Sequence, residues 1–253
     1  MSRTGSAATS WAGVDSRPHV PPDTGSRARL GAPRCGPLRV HGRACQTRRD
    51  DGDHAPRLTL LHIEGSGPHT VLLSTLCAAC PQGFTGCCAG PPEYDWSDVG
   101  RVVAAGGKGF LLACLAEGKI VPSPRGLLLR RVRTRSAGTQ RRRLRCVHHG
   151  ERGCTIPQSF RPATCNYYLC DDAFADGERE APGSSLACRR AHAWLRATYE
   201  GWDRTLAAEV HEQWPEGPEW NGPFLDWLGA RFGGLEKQRS AGVPEPPWQV
   251  LEA

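Results

Sequence analysis

From Leu58 onward the chain alternates short apolar runs with polar, Gly- and Pro-rich breaks. LTLLHIE (58–64) and HTVLLSTL (69–76), parted by GSGP, predict a strand–turn–strand unit. Pro and Gly exclude a regular element over 77–94. Asp95 is placed to open a helix with Asp98 in its first turn and Val102 and Val103 on its buried face, ending at Gly106-Gly107. A second short helix is predicted at about 109–117, with Leu111, Leu112, Cys114 and Leu115. GLLLRRVRTR (126–135) and RRRLRCVHH (141–149) read as two strands of a basic β-hairpin joined by SAGTQ. Residues 154–170 are expected to be irregular and to run into an acidic loop ending near Gly183.

Ser184 or Ser185 is then expected to cap a long helix, in which Leu186, Ala191, Trp194, Leu195, Tyr199, Trp202 and Leu206 recur at helical spacing. Pro215 ends it. A last helix is predicted at 223–232, with Phe224, Leu225, Trp227 and Leu228. The fold class expected is α+β: a small irregular cysteine-cluster domain with short helices and a β-hairpin, then a C-terminal helical segment. The organisation expected is a disordered Arg/Pro/Gly-rich tail (1–56), the cysteine-cluster domain (57–182), C-terminal helices packed on it (183–237) and a frayed tail (238–253).

Composition adds two constraints. Gly and Pro account for 51 of the 253 residues, which predicts much loop. No run approaches the length of apolar residues that a membrane span needs, and the first thirty residues lack a signal-like apolar stretch, so a cytoplasmic protein is expected. The net charge of +6 is unevenly placed. Residues 119–150 carry ten basic groups and no acid, whereas residues 151–253 carry ten basic and sixteen acidic groups.

Cysteine changes the picture most. There are 12, against the one or two per hundred of an ordinary chain. Eight form two groups: Cys77, Cys80, Cys87 and Cys88, then Cys146, Cys154, Cys165 and Cys170. Thiolates are soft donors, and four of them suit zinc, iron or an iron–sulfur cluster. The C-x2-C step lets one tight turn direct two sulfurs to the same ion. Adjacent side chains diverge, so Cys87 and Cys88 either split between ion and core or bridge two centres. The second group lacks a C-x2-C, so it is expected to complete sites begun by the first, as one composite site or two neighbouring ones.

A disulfide framework is the competing reading for these eight. Cys114, on a helix face, reads as a dry buried thiol. Cys35 and Cys45 read as incidental. His148 and His149 could donate nitrogen, but solvent-facing strand residues are the preferred reading. Cys188 and His192 stand i, i+4 without a third local ligand, so a plain helical role is preferred.

This order of cysteines, with C-T-I-P-Q-S-F-R-P-A-T-C at 154–165, resembles the YkgJ-type cysteine-cluster proteins, the zinc- or iron-chelating domain family. The likeness spans roughly 75–172. Cys77, Cys80, Cys87, Cys88, Cys146, Cys154 and Cys165 match in order, with Ile156, Arg161 and Pro162 in place and Cys170 as the eighth. The Cys80–Cys87 gap is longer than the commonest family form, the Cys154–Arg161 interval is one residue longer, and Pro157 replaces a frequent aromatic. The resemblance implies metal chelation, and some relatives resemble flagellin lysine methylases. Pro162 directs Arg161 into an extended conformation. There Arg161 would offset thiolate charge at the cofactor, or hydrogen-bond sulfur or a backbone carbonyl.

Zinc or iron is thus the expected cofactor, an iron–sulfur cluster being one form of it. Two alternatives stand beside plain metal binding. One is an enzyme of methyl transfer or redox chemistry using the cluster at its active site. The other is a zinc-stapled nucleic-acid-binding module using the Arg-rich hairpin at 125–145, with Arg141, Arg142 and Arg143 in a run. Nucleic acid is the less favoured, because that segment lacks aromatics for stacking. GGKGF (106–110) is not a phosphate loop, HEQW (211–214) lacks the second His of a zinc-protease helix, and no G-x-S-x-G is present. The Trp residues at 194, 202, 214, 220 and 227 are expected to pack in the core.

Overall fold

The computed structural model describes residues 60–80, 86–135, 142–151 and 153–240. The expectations for residues 1–56, for Cys35 and Cys45, for the hairpin turn with Arg141, and for 241–253 fall outside them. The described residues all fall within one compact unit.

Among the described residues the architecture mixes helices with four two-stranded antiparallel sheets. Strands β1 (Leu61–Glu64) and β2 (Val71–Ser74) pair as the first hairpin. Helix α1 (Trp96–Ala104) is capped by Asp95, whose carboxylate accepts the Asp98 N–H at 2.8 Å. Helix α2 spans Lys108–Ala116. The basic segment departs from the single hairpin expected of it. Strand β3 (Ile120–Ser123) pairs with β4 (Gly126–Leu129), and β5 (Arg131–Arg135) with β6 (Arg142–Cys146). Arg130 is the junction: its N–H donates to Lys119 and its carbonyl accepts from Val147, each at 2.9 Å, so the chain changes partner there. Two short strands follow, β7 (His149–Gly150) and β8 (Gly153–Cys154).

The stretch expected to be irregular holds a helix, α3 (Ala163–Tyr167), and the expected acidic loop is a second, α4 (Asp171–Glu180). Asp171 and Asp172 fall in the first turn of α4, where acid favours the helix dipole, and Phe174 and Ala173 are buried. Helix α5 spans Ser184–Gln213. Neither serine caps it. Gly183 takes that position at φ 89°, while Ser184 and Ser185 bond back to the Gly177 carbonyl and Glu178. Leu186, expected on the buried face, is 52% exposed. Helix α6 runs Gly222–Ser240, eight residues past its expected end.

The core lies where α1 meets α5 and α6. Gly100 and Gly229 allow close approach: a Cβ on Gly100 would stand 2.7 Å from the Phe232 Cβ, and one on Gly229 would stand 2.5 Å from Val103. Trp96 stacks on Trp220 at 5.6 Å, and Trp202 meets Phe232 edge-on at 5.1 Å. Trp194, Trp214 and Trp227 pack against the same core.

Candidate metal centre

Short turns, strand ends, helix α3 and the start of α4 carry the eight cysteines. Ser74 accepts the Leu76 N–H and so caps the turn Thr75–Ala79 that bears Cys77. Cys80 ends that turn. Gly86, at φ +45°, returns the chain so closely that a Cβ there would stand 3.0 Å from the Cys80 sulfur. The turn Gly86–Ala89, with Cys87 and Cys88, packs on β6, whose last residue is Cys146. The β7–β8 register sets Cys154 opposite His149. Cys165 lies on α3, and Cys170 is the residue from which α4 starts.

The thiols act on one another electrostatically. Burial raises Cys77, and charge on Cys87, Cys170 and Cys80 raises it further. Cys88 donates to Cys87, which lowers the Cys87 thiol and raises Cys88; Cys146 and Cys154 add to the rise at Cys88. Cys165 is raised by desolvation, then by Asp98, Cys154, Cys87 and Cys146. Burial and Cys154 raise Cys146. The Gly86–Ala89 turn packs on β6, and charge on Cys87 raises both Cys77 and Cys165. All eight are free thiols. Among the described residues, no three His, Cys, Asp or Glu side chains already stand in ligating geometry.

Arg161 has the extended backbone that Pro162 imposes, φ −69° and ψ 152°. Its Nε donates to the Ile156 carbonyl at 2.9 Å, closing the loop between Cys154 and Cys165. A second arginine supports the same loop and was not singled out in the sequence. Arg101, its side chain 6% exposed, donates to the carbonyls of Ser159 and Arg161 and pairs with Asp98. Asp98 in turn accepts the Ala163 N–H at 2.6 Å, at the start of the helix that carries Cys165. The spacing of Asp98 and Arg101, i and i+3 on α1, was the available signal.

Of the remaining candidates, His149 is half-buried opposite Cys154 rather than facing solvent. His148, expected to face solvent, is buried, with its Nε2 3.9 Å from the Cys114 sulfur; burial lowers its pKa. Cys114 is buried as expected. Burial pushes the Cys188 thiol up to about 11, and His192 packs edge-on against Tyr167 at 5.5 Å.

Comparison with family models, with curated proteins and with solved structures returns no match for this chain. Among the described residues no helix is long and apolar enough to cross a membrane.

Proposed function

We propose that this is a metal-binding cysteine-cluster protein that chelates zinc or iron, as ions or as an iron–sulfur cluster, through Cys77, Cys80, Cys87, Cys88, Cys146, Cys154, Cys165 and Cys170. The observation that carries the reading is the convergence of two remote segments: the Cys87-Cys88 turn packs on the strand ending in Cys146, and the thiols on both sides raise one another's pKa. The donor set fits the ions, because thiols are soft ligands and eight of them exceed one tetrahedral shell. The raised thiols of Cys77, Cys88, Cys146 and Cys165 would give up their protons to a divalent cation, which supplies the missing countercharge. Arg161 and Arg101 would hold the 156–161 backbone so that Cys154 and Cys165 face the ion. Cysteines kept reduced belong to a reducing compartment such as the cytoplasm.

Elemental analysis and an electronic spectrum of anaerobically purified protein test this. Stoichiometric zinc without colour, or iron with thiolate charge-transfer bands, is the expected result. Metal-free protein with S–S bonds among these eight residues overturns it.

A further inference from the structure

The densest positive charge in the chain lies in the segment that contains β3 to β6. Residues 119–150 hold nine Arg and one Lys with no acidic residue. The Arg-rich part folds as the two-stranded ribbon β5–β6. Its register sets Arg131 opposite Cys146, Arg133 opposite Leu144, Thr134 opposite Arg143 and Arg135 opposite Arg142. By the two-residue alternation of a strand, Arg131, Arg133 and Leu144 share a face, and all three are exposed. Arg130, also exposed, leads into it. Among the described residues none of Arg130, Arg131 and Arg133 forms an ion pair. Arg101, Arg179, Arg196 and Arg231, all on helices, do form ion pairs.

The strands Arg131–Arg135 and Arg142–Cys146 contain no acidic residue, so the exposed Arg130, Arg131 and Arg133 have no countercharge within the ribbon, and an external polyanion would supply it. Shape and composition select among polyanions. A two-stranded ribbon, its strands about 5 Å apart, enters the major groove of a B-form duplex, about 12 Å wide. The deep, narrow major groove of A-form RNA does not admit it. Single strands are held largely by aromatic stacking, and residues 119–150 contain no Phe, Tyr or Trp. Arginine's planar fork suits phosphate oxygens better than lysine's point charge. We propose that the β5–β6 ribbon is a docking surface for double-stranded DNA, with Arg130, Arg131 and Arg133 on its phosphates. The ribbon's charge and register carry this, with no appeal to the proposed ion.

The test is fluorescence anisotropy of a short mixed-sequence DNA duplex titrated with the full chain at several salt concentrations. Three phosphate contacts predict a loss of roughly 40-fold in affinity between about 50 mM and about 200 mM salt. Arg131→Gln/Arg133→Gln, both exposed and outside the core, should weaken duplex binding and flatten the log–log salt slope by about 2. Arg196→Gln/Arg204→Gln makes the same change in net charge on α5 and should keep the wild-type slope. Circular dichroism confirms that both variants are folded. The proposal is overturned if Arg131→Gln/Arg133→Gln keeps the wild-type slope, if the α5 variant loses as much affinity, or if no duplex binds at low salt. It is equally overturned if single-stranded DNA, double-stranded RNA or phosphatidylserine vesicles bind more tightly than the duplex.

Discussion

Asp98 and Arg101 form an i, i+3 ion pair on α1. Both are buried, and between them they hold the start of α3 and the carbonyls of Ser159 and Arg161. Replacing Arg101 with Met keeps the bulk but strands a buried carboxylate. A loss of about 3–5 kcal/mol is expected by urea denaturation. Asp98 also gives the molecule a pH dependence of known sign. Burial outweighs the attraction of Arg101 and raises its carboxyl from 3.8 to about 6. The native state therefore binds the proton more tightly than the unfolded chain between those values. Its stabilising effect is present below the lower value and is lost as pH rises through about 6. Asp95 and Asp203 are raised as well and act in the same sense, whereas His148 and His192, lowered by burial, cost stability as pH falls through the normal histidine range. Comparing variants isolates Asp98. Asp98→Asn can still accept from Ala163 but cannot ionise, so its stability should fall by up to about 3 kcal/mol less than wild type between pH 4 and pH 6.5. Parallel curves for the two proteins would refute the assignment.

At the scale of elements, close packing between α1 and α6 fixes the core. Gly100→Ala places a methyl against the Phe232 side chain and the Leu228 carbonyl. A loss of about 1–3 kcal/mol is expected, read as a lower thermal midpoint, whereas Gly109→Ala, with open space around it, should be near neutral. Helix α1 was legible from sequence because its signals are local: Asp95 as cap, Asp98 in the first turn, Val102 turned inward. Helix α4 was not, because its acidic, Gly-containing run DDAFADGERE has only two well-buried apolar positions, and its helical state depends on packing against α5 and β1. Gly177 there admits Leu61 so closely that a Cβ would stand 2.5 Å from it, a contact no local pattern announces. The exchange of partners at Arg130 was hidden for a related reason. GLLLRRVRTR reads as one strand by composition, and only the backbone bonds to Lys119 and Val147 divide it. The cysteine positions were fully legible, but their neighbours were not: which thiol meets which depends on how the Gly86–Ala89 turn lies on β6. Arg161's bond to the Ile156 carbonyl follows from the short loop between them, and the Arg101 support comes from a helix some sixty residues earlier in sequence.

The whole molecule couples these scales, because the thiol cluster joins the segment after β2 to the segment that ends β6 and runs into α4. If an ion closes that loop, binding free energy becomes folding free energy, and residues far from the ion share in it. Chelation should then lower the thermal midpoint of the purified protein, and re-addition of the same metal under reducing conditions should restore it. Serine replacements sharpen the expectation. Cys77→Ser and Cys165→Ser lie in different segments and are both raised by the same neighbour, Cys87. In metal-loaded protein their effects on stability should fall short of additivity by about 1–3 kcal/mol, since either one opens the same centre. In metal-free protein they should add. Additivity in both forms would mean that the two segments are joined by packing alone, with no shared ion.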